Sequence, residues 1–181
     1  MSNLDAPDWQ PTLQGEQLAL APLAAADFEP LYAVANDPRL WEQHPEPTRY
    51  QRPVFERFFA AALASGGALC VRDAASGTVI GSSRFYLWDA DARSVVIGYT
   101  FLARSHWGGS TNRELKRLML AHAFRWASDV DFHVGPSNLR SQRALERIGA
   151  RLHERRELVD GDPATVRLVY RISRSDFFAD R

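Results

Sequence analysis

The sequence predicts an α+β fold, a mixed α/β architecture in which a central, mostly antiparallel twisted sheet of about seven strands is flanked by about four helices. The first indication is a run of three strand-like segments at residues 68–102, separated by short turns of Gly, Ala, Ser and Asp. Such a run is typical of an antiparallel meander. The second indication is that four segments place apolar residues at helical spacing, two before the meander and two after it.

The first elements are a strand and two helices. Leu18–Pro22 is a short strand, and the first helix begins near Asp27. The second helix runs from about Pro53, a residue that suits a first turn, to about Ala64. Residues 41–50, between the helices, include two prolines and several side chains of the kinds that make specific contacts, so we expect an ordered loop there.

The remaining elements complete the sheet. In order they are strands at Ala68–Asp73, 78–88 and 93–102, a helix at about 112–127, a strand at 131–134, a short helix capped by Ser137 or Asn138 that runs to Ile148, and a hairpin of Arg151–Leu158 and 164–172. The long helix is apolar over a wide arc, so we expect it to pack against the sheet.

Composition indicates one domain spanning residues 1–181, of which 1–15 form an extended N-terminal segment. The 22 basic and 22 acidic residues cancel without a basic cluster, so we expect no nucleic-acid partner. There is no apolar run of membrane-spanning length and no signal-peptide pattern at residues 1–10, which predicts a cytoplasmic protein without membrane association. The single cysteine, Cys70, excludes an internal disulfide and a multi-cysteine metal site, and we expect no metal.

One loop carries the clearest functional signal. Residues 107–114 join an apolar strand to the long helix and contain Gly108 and Gly109. Glycines let the backbone approach a ligand closely, and the free N–H groups of a helix's first turn, reinforced by the helix dipole, attract an anion. An ordinary strand-to-helix turn would use the same small residues, so both interpretations stand on this segment alone.

The order of elements and three segments resemble GNAT-type N-acetyltransferases, within them the branch that acetylates the N-terminal alanine of ribosomal proteins. The segments are the loop at 107–116, the helix start at 138–150, and His44-Pro45-Glu46-Pro47. The resemblance extends from Leu18 to about Ile172. It implies a GNAT-like fold, acetyl-CoA (coenzyme A) as the cofactor, and transfer of an acetyl group by direct attack of a primary amine.

The resemblance also implies cofactor-binding residues. The family pattern Gln/Arg-x-x-Gly-x-Gly/Ala aligns with Trp107, Ser110 and Asn112, so both small positions are replaced. Backbone N–H groups hold the pyrophosphate, so these replacements are tolerable. The cofactor-binding residues expected on this basis are Thr100, Leu102, Trp107, Gly108, Gly109, Ser110, Thr111, Asn112, Asn138 and Ser141.

The resemblance places Ser141 where a hydroxyl can protonate the departing thiolate, although Ser141 could equally be a first-turn helix residue. The glutamate that serves many family members as base aligns with Val96, which cannot accept a proton. The remaining bases are His133, His44, Glu46 or a water chain, and His133 could also be an ordinary sheet histidine. An α-amino acceptor, with a pKa of about 7.7–8.0, needs a base less than a lysine does.

The expected acceptor is a peptide N-terminus or a small-molecule amine, and a homodimer is one option for the assembly. The candidate acceptor-binding residues are Trp41, His44, Glu46, Arg49 and Tyr50 in the loop, with Arg84 and Trp88, which share one strand face with Tyr86. The aromatic residues could instead pack the loop down. Two alternatives to a peptide acetyltransferase remain, an enzyme that modifies small amines or antibiotics and a non-catalytic relative that binds acyl-CoA.

Three further residues have structural interpretations. His122 lies on the apolar stripe of the long helix, and Cys70 alternates with apolar strand residues, so both are expected in the core. Glu114 and Arg117, three residues apart on the same helix, are expected to form a surface pair.

Overall fold

A computed structural model describes residues 6–158 and 165–179. The strands are β1 (Leu13–Gln14), β2 (Leu18–Pro22), β3 (Ala68–Asp73), β4 (Val79–Asp89), β5 (Ser94–Leu102), β6 (Asp129–Val134), β7 (Arg151–Leu158) and β8 (Thr165–Ser173). The helices are α1 (Phe28–Ala35), α2 (Arg52–Ala64), α3 (Thr111–Ala123), α4 (Leu139–Glu146) and α5 (Arg174–Ala179). The predicted mixed α/β fold with a mostly antiparallel sheet is confirmed.

The eight strands form one sheet in the order β1-β2-β3-β4-β5-β6-β8-β7. All neighbouring strands are antiparallel except β5 and β6, which are parallel. The predicted meander is β3-β4-β5 and the predicted closing hairpin is β7-β8, whose turn at Asp160-Gly161-Asp162-Pro163 lies outside the described residues.

Two apolar layers cover the sheet. On one face α3 packs through Leu115 and Met119 against sheet residues such as Ile97. On the other face α1 and α2 pack through residues such as Phe55 against Phe101 of β5. Among the described residues, no helix is long and apolar enough to cross a membrane. The sheet therefore separates a face covered by α3 from a face covered by α1 and α2.

Three differences from the sequence prediction have simple causes. The strand β1 has two residues and α5 has six, which is too short for either period to be visible. The helix α3 ends at Ala123 because the N–H groups of Arg125 and Trp126 bond to carbonyls three residues back, which tightens the last turn.

The predicted surface pair of Glu114 and Arg117 is wrong. The Glu114 carboxylate is buried and accepts hydrogen bonds from the backbone N–H groups of Glu16 and Gln17. A Cβ atom added to Gly15 would collide with Glu114 Oε1, so a glycine there leaves room for the carboxylate in this position. Glu114 thus ties α3 to the turn between β1 and β2.

The core positions of His122 and Cys70 are confirmed, since both are buried. His122 Nε2 lies 2.6 Å from the carbonyl oxygen of Asp8. Burial raises the pKa of the Cys70 thiol to about 12, so the side chain is an inert core group rather than a nucleophile.

Candidate active site

The strands β5 and β6 diverge and open a wedge in the sheet. Their parallel pairing covers three positions, from Ser94 with Asp129 to Val96 with Asp131. Beyond these positions β5 continues to Leu102 and β6 to Val134 without pairing to each other. Tyr99 has φ +53° at an irregularity in the β4-β5 register, and such a bulge bends a strand. We call the opening between β5 and β6 the wedge.

The edge of β5 in the wedge offers main-chain groups. Phe101 pairs with Ser82 of β4, and Ala103 donates its N–H to Ile80 at 2.7 Å, so the alternate residue Leu102 turns its main-chain groups toward the wedge. The carbonyl of Leu102 accepts a hydrogen bond from the Trp107 indole N–H at 3.0 Å. Trp107 therefore anchors the glycine loop to the end of β5.

The loop before α3 fits a diphosphate. Gly108 has φ +75°, and no atom lies within 4 Å of a Cβ added to Gly109, so the loop surface is open. The first backbone bond of α3 runs from Glu114 N to the carbonyl of Ser110. The Ser110 hydroxyl bonds to the Gln17 side chain and caps no N–H group. Within the described ranges, no acceptor meets the N–H groups of the first turn, which can therefore receive an anion.

Asn138 and Ser141 lie at the start of α4. Asn138 is buried, and its Oδ1 accepts the backbone N–H of Ser141 at 3.1 Å, which confirms Asn138 rather than Ser137 as the cap. Ser141 is half-buried, and no hydrogen bond joins its hydroxyl to another residue of the described part of the chain. That hydroxyl remains available to a ligand.

Arg140 is a site residue that the sequence analysis missed. Its guanidinium donates to the carbonyl of Leu40 at 2.9 Å and lies 4.1 Å from the centre of the Trp107 ring. The start of α4, the segment after α1 and the glycine loop therefore meet at one place. No periodicity or motif in the sequence distinguishes Arg140 from the other arginines of α4.

Lys116 is a second residue that the sequence analysis missed. It is the only lysine in the chain and is 5% exposed. Its Nζ lies 2.6 Å from Thr100 Oγ1 and 5.4 Å from the centre of the Phe132 ring. Thr100 Oγ1 in turn lies 2.8 Å from Ser83 Oγ. Burial lowers the pKa of Lys116 to about 7. Its place beside Leu115 and three residues before Met119, on the buried stripe of α3, is the signal that could have identified it.

On the opposite face, Arg84 is 7% exposed, and its guanidinium lies 4.1 Å from the centre of the Tyr99 ring and 5.7 Å from that of Phe58. Its Nε is buried without a hydrogen-bond partner. Burial lowers its pKa from the usual value.

Arg49 lies beside the same phenylalanine ring. Its guanidinium is 4.5 Å from the centre of Phe58 and 5.1 Å from that of Trp41, and its Nε is also buried without a partner. The pKa of Arg49 is lowered to about 10, mainly by burial, with the Glu46 carboxylate opposing this shift and the charge of Arg84 adding to it. The structure therefore brings together Arg49 and Arg84, two of the predicted acceptor-binding residues.

The other loop candidates are held by internal contacts. His44 Nδ1 accepts the N–H of Glu46 at 2.9 Å, and burial lowers the pKa of His44 to about 3. The Glu46 carboxylate accepts hydrogen bonds from Thr48, which lower its pKa. Both side chains are consequently weaker proton acceptors than free histidine or glutamate.

Trp41 and Tyr50 pack the loop onto the protein. The Trp41 indole is 3% exposed and donates its N–H to the carbonyl of Ala35 at 2.8 Å. The Tyr50 carbonyl accepts a bond from the Tyr32 hydroxyl at 3.3 Å. Trp41 forms the wall behind Arg49.

The expectation that Arg84, Tyr86 and Trp88 share a strand face is wrong for Trp88. The β4-β5 register shifts after Tyr86, and Leu87 has φ +51°, so the next side chain is turned to the other face. Trp88 packs 5.3 Å from Trp9 in the layer under α3, whereas Arg84 lies beside Phe58 of α2. The structure therefore separates Trp88 from the guanidinium pair.

His133 and Val96 lie near Tyr86. The His133 ring is 6.1 Å from that of Tyr86, and His133 pairs with Val169 between β6 and β8. Val96 is buried and pairs with Tyr86 on one side and Asp131 on the other. Asp131 itself is bound by Arg171, with 2.7 Å between Oδ1 and Nε. No cluster of potential metal ligands occurs among the residues that the structure describes.

The family model for an acetyltransferase (GNAT) domain matches residues 17–151. The chain belongs to the GNAT acetyltransferase family. It is thus an N-acetyltransferase, an acyltransferase of EC class 2.3.1, with acetyl-CoA as its cofactor. No curated protein matches the chain.

Solved structures agree with the family assignment. The acetyltransferase from Agrobacterium tumefaciens str. C58 is 28% identical, with a TM-score of 0.70, over 91% of this chain and 95% of that one. A GCN5-related N-acetyltransferase from Brucella melitensis is 21% identical with a TM-score of 0.82, over 94% and 81% of the two chains. Mycobacterium smegmatis RimJ in complex with CoA-disulfide is 18% identical with a TM-score of 0.74, over 94% and 90%. The last two similarities concern the fold alone.

Proposed function

We propose that this acetyltransferase acts on a primary amine of the kind found at a peptide N-terminus, by direct attack on the acetyl thioester. The observation that carries the proposal is the combination of an open anion site at the start of α3 with a wedge between β5 and β6. The Ser141 hydroxyl, at the start of the helix that follows β6, bonds to no other described residue. Acetyl-CoA supplies the activated acetyl group at this place. The resemblance to enzymes that acetylate ribosomal proteins, carried by residues 107–116 and 138–150, supports a peptide acceptor.

In this proposal the chain holds the cofactor mainly through its backbone. The N–H groups of Gly109, Ser110, Thr111 and Asn112 bind the diphosphate, and the wedge edge of β5 at Thr100 and Leu102 pairs with the amide-bearing arm. Trp107 fixes the loop and Asn138 fixes the first turn of α4.

The proton steps need little assistance. As the amine nitrogen bonds to the acetyl carbon and the carbon–sulfur bond breaks, Ser141 Oγ would donate a proton to the departing sulfur, and the proton lost by the amine would restore the hydroxyl. This is a modest task because a free thiol has a pKa of about 8.5. His133 is the remaining side-chain candidate for a base, since the pKa values of His44 and Glu46 are lowered. An α-amino group is already partly neutral near pH 8, so His133 has a small role with such an acceptor.

The test follows the release of free thiol from acetyl-CoA with a panel of alanine- and serine-initiated peptides, polyamines and free amino acids. Ser141→Ala is expected to lower kcat about 10²-fold, the smaller end of a typical acid-base contribution, with an unchanged KM for acetyl-CoA. Ser175→Ala on α5 removes a hydroxyl far from the wedge and serves as the matched control. If no amine releases thiol although acetyl-CoA binds, the proposed reaction is wrong and the chain is a binding relative.

A further inference from the structure

The charge of Arg84 has no counterpart among the residues that the structure describes. The side chain makes no ion pair and no hydrogen bond with the residues at 6–158 and 165–179, and its Nε is buried. Rings of Tyr99 and Phe58 face the guanidinium, and cation–π contacts only partly replace the lost water. An arginine cannot lose its proton in a protein, so a buried guanidinium needs an anion.

Arg49 adds a second positive charge at the same place. Arg49 and Arg84 both lie over the ring of Phe58, at 4.5 and 5.7 Å from its centre. Within the described residues, no carboxylate forms an ion pair with either guanidinium. The Glu46 carboxylate, which Thr48 binds, attracts the charge of Arg49, whereas Arg84 repels it. His44, which lies 3.2 Å from Arg49 Nη1 through its Nε2, is neutral.

This pair is separate from the anion site at the start of α3. Arg84 pairs with Gly98 in the middle of the β4-β5 ladder and lies under α2. The glycine loop instead follows the end of β5 and leads into α3, on the other face of the sheet. The guanidinium pair is therefore a positively charged place apart from the loop that the proposed function assigns to the cofactor's diphosphate.

We propose that Arg49 and Arg84 bind a carboxylate of the acceptor, so that the substrate is an amine that also carries a carboxylate. The proposal rests on the proposed function. A guanidinium matches a planar carboxylate with parallel hydrogen bonds, and the aromatic rings exclude water, which strengthens such bonds. The carboxylate belongs either to a small amino acid or to an acidic side chain near a peptide N-terminus.

The experiment compares acceptors that differ only in charge. One arm uses ω-amino acids of increasing chain length and their amides, and the other uses the peptides Ala-Glu-Ala-amide and Ala-Gln-Ala-amide. Thiol release from acetyl-CoA gives kcat/KM for each member. In the arm whose acceptors are turned over faster, we expect kcat/KM for the carboxylate member to exceed that for its amide by about 10- to 150-fold. This ratio corresponds to the free energy of a charge-assisted hydrogen bond.

Substitutions test whether Arg49 and Arg84 cause the preference for carboxylate acceptors over amides. Arg84→Met and Arg49→Met are each expected to abolish the preference, because kcat/KM for the carboxylate member falls to that for its amide. Arg52→Met is the matched control, because Arg52 also lies over two aromatic rings but is exposed and paired with Glu29. It should retain the preference.

The outcomes separate this inference from the proposed function. Equal kcat/KM for carboxylate and amide members, with active enzyme, overturns the inference and leaves the acetyltransferase proposal intact. If no acceptor is turned over, thermal unfolding with coenzyme A and each acceptor decides. A rise in Tm with the carboxylate member that is lost in Arg84→Met supports the anion site, and equal Tm values with both members overturn it.

Discussion

On the α3 side of the sheet Lys116 is buried beside Thr100 and Ser83, whereas on the opposite side Arg84 is buried between Phe58 and Tyr99. Neither cation has a carboxylate partner among the described residues. A lysine can tolerate burial by releasing its proton, and the pKa of Lys116 is lowered to about 7. An arginine has no such option. The lack of a carboxylate partner therefore indicates that Lys116 can be a neutral amine, whereas Arg84 calls for an anionic ligand.

The largest expected effect concerns the lysine. The Lys116 pKa is about 7 in the fold and about 10.4 in an unfolded chain, so between these values the unfolded state binds more protons and stability rises with pH. Relative to Lys116→Met, the free energy of unfolding of the wild type should increase by up to about 1.4 kcal/mol per pH unit in this window. Urea denaturation at several pH values measures the difference.

The control for this prediction is Arg117→Met, which changes an exposed cation next along α3. It should leave the pH dependence unchanged. A wild type and a Lys116→Met variant with parallel pH profiles between pH 7 and 10 would show that Lys116 keeps its proton, and the contrast between the two cations would be lost.

The next effect concerns the arginine in the absence of ligand. Arg84→Met replaces an unpaired buried charge by an apolar side chain, so we expect the free energy of unfolding to increase by about 1–4 kcal/mol at pH 7. Urea denaturation without acceptor measures it. A clear loss of stability would mean that Arg84 supports the fold through its rings, against the contrast drawn above.

A third, smaller effect is expected at the glycine loop, where backbone N–H groups rather than side chains are proposed to bind the cofactor. Ser110 has φ −82°, close to the proline value, so Ser110→Pro removes one N–H group at little conformational cost. We expect the KM for acetyl-CoA to rise at least about tenfold. Ser110→Ala, which removes only the hydroxyl bond to Gln17, should stay within about twofold. Equal effects of both variants would assign the binding to the side chain.

The sequence predicted those parts of the site that depend on backbone. The glycine turn, the order of elements along the chain and a polar cap at the start of α4 follow from glycines, periodicity and short polar side chains. The structure alone decides for Asn138 over Ser137 as the cap and gives the order of the strands in the sheet. The sequence could not predict which face of the sheet the last side chains of β4 occupy. The left-handed backbone at Leu87 reverses the alternation of side chains before Trp88. Sequence patterns also cannot tell that Arg84 lacks a partner, because that depends on which carboxylates the fold brings near.

A carboxylate from outside the protein balances the charge of Arg84. The most direct measurement is the urea midpoint of the wild type, Lys116→Met and Arg84→Met with increasing succinate or succinamide at constant ionic strength. Succinate, but not succinamide, should raise the urea midpoint of the wild type and of Lys116→Met, because a ligand that binds the folded state stabilises it. Neither compound should change the urea midpoint of Arg84→Met. Equal stabilisation of Arg84→Met by succinate would contradict the claim.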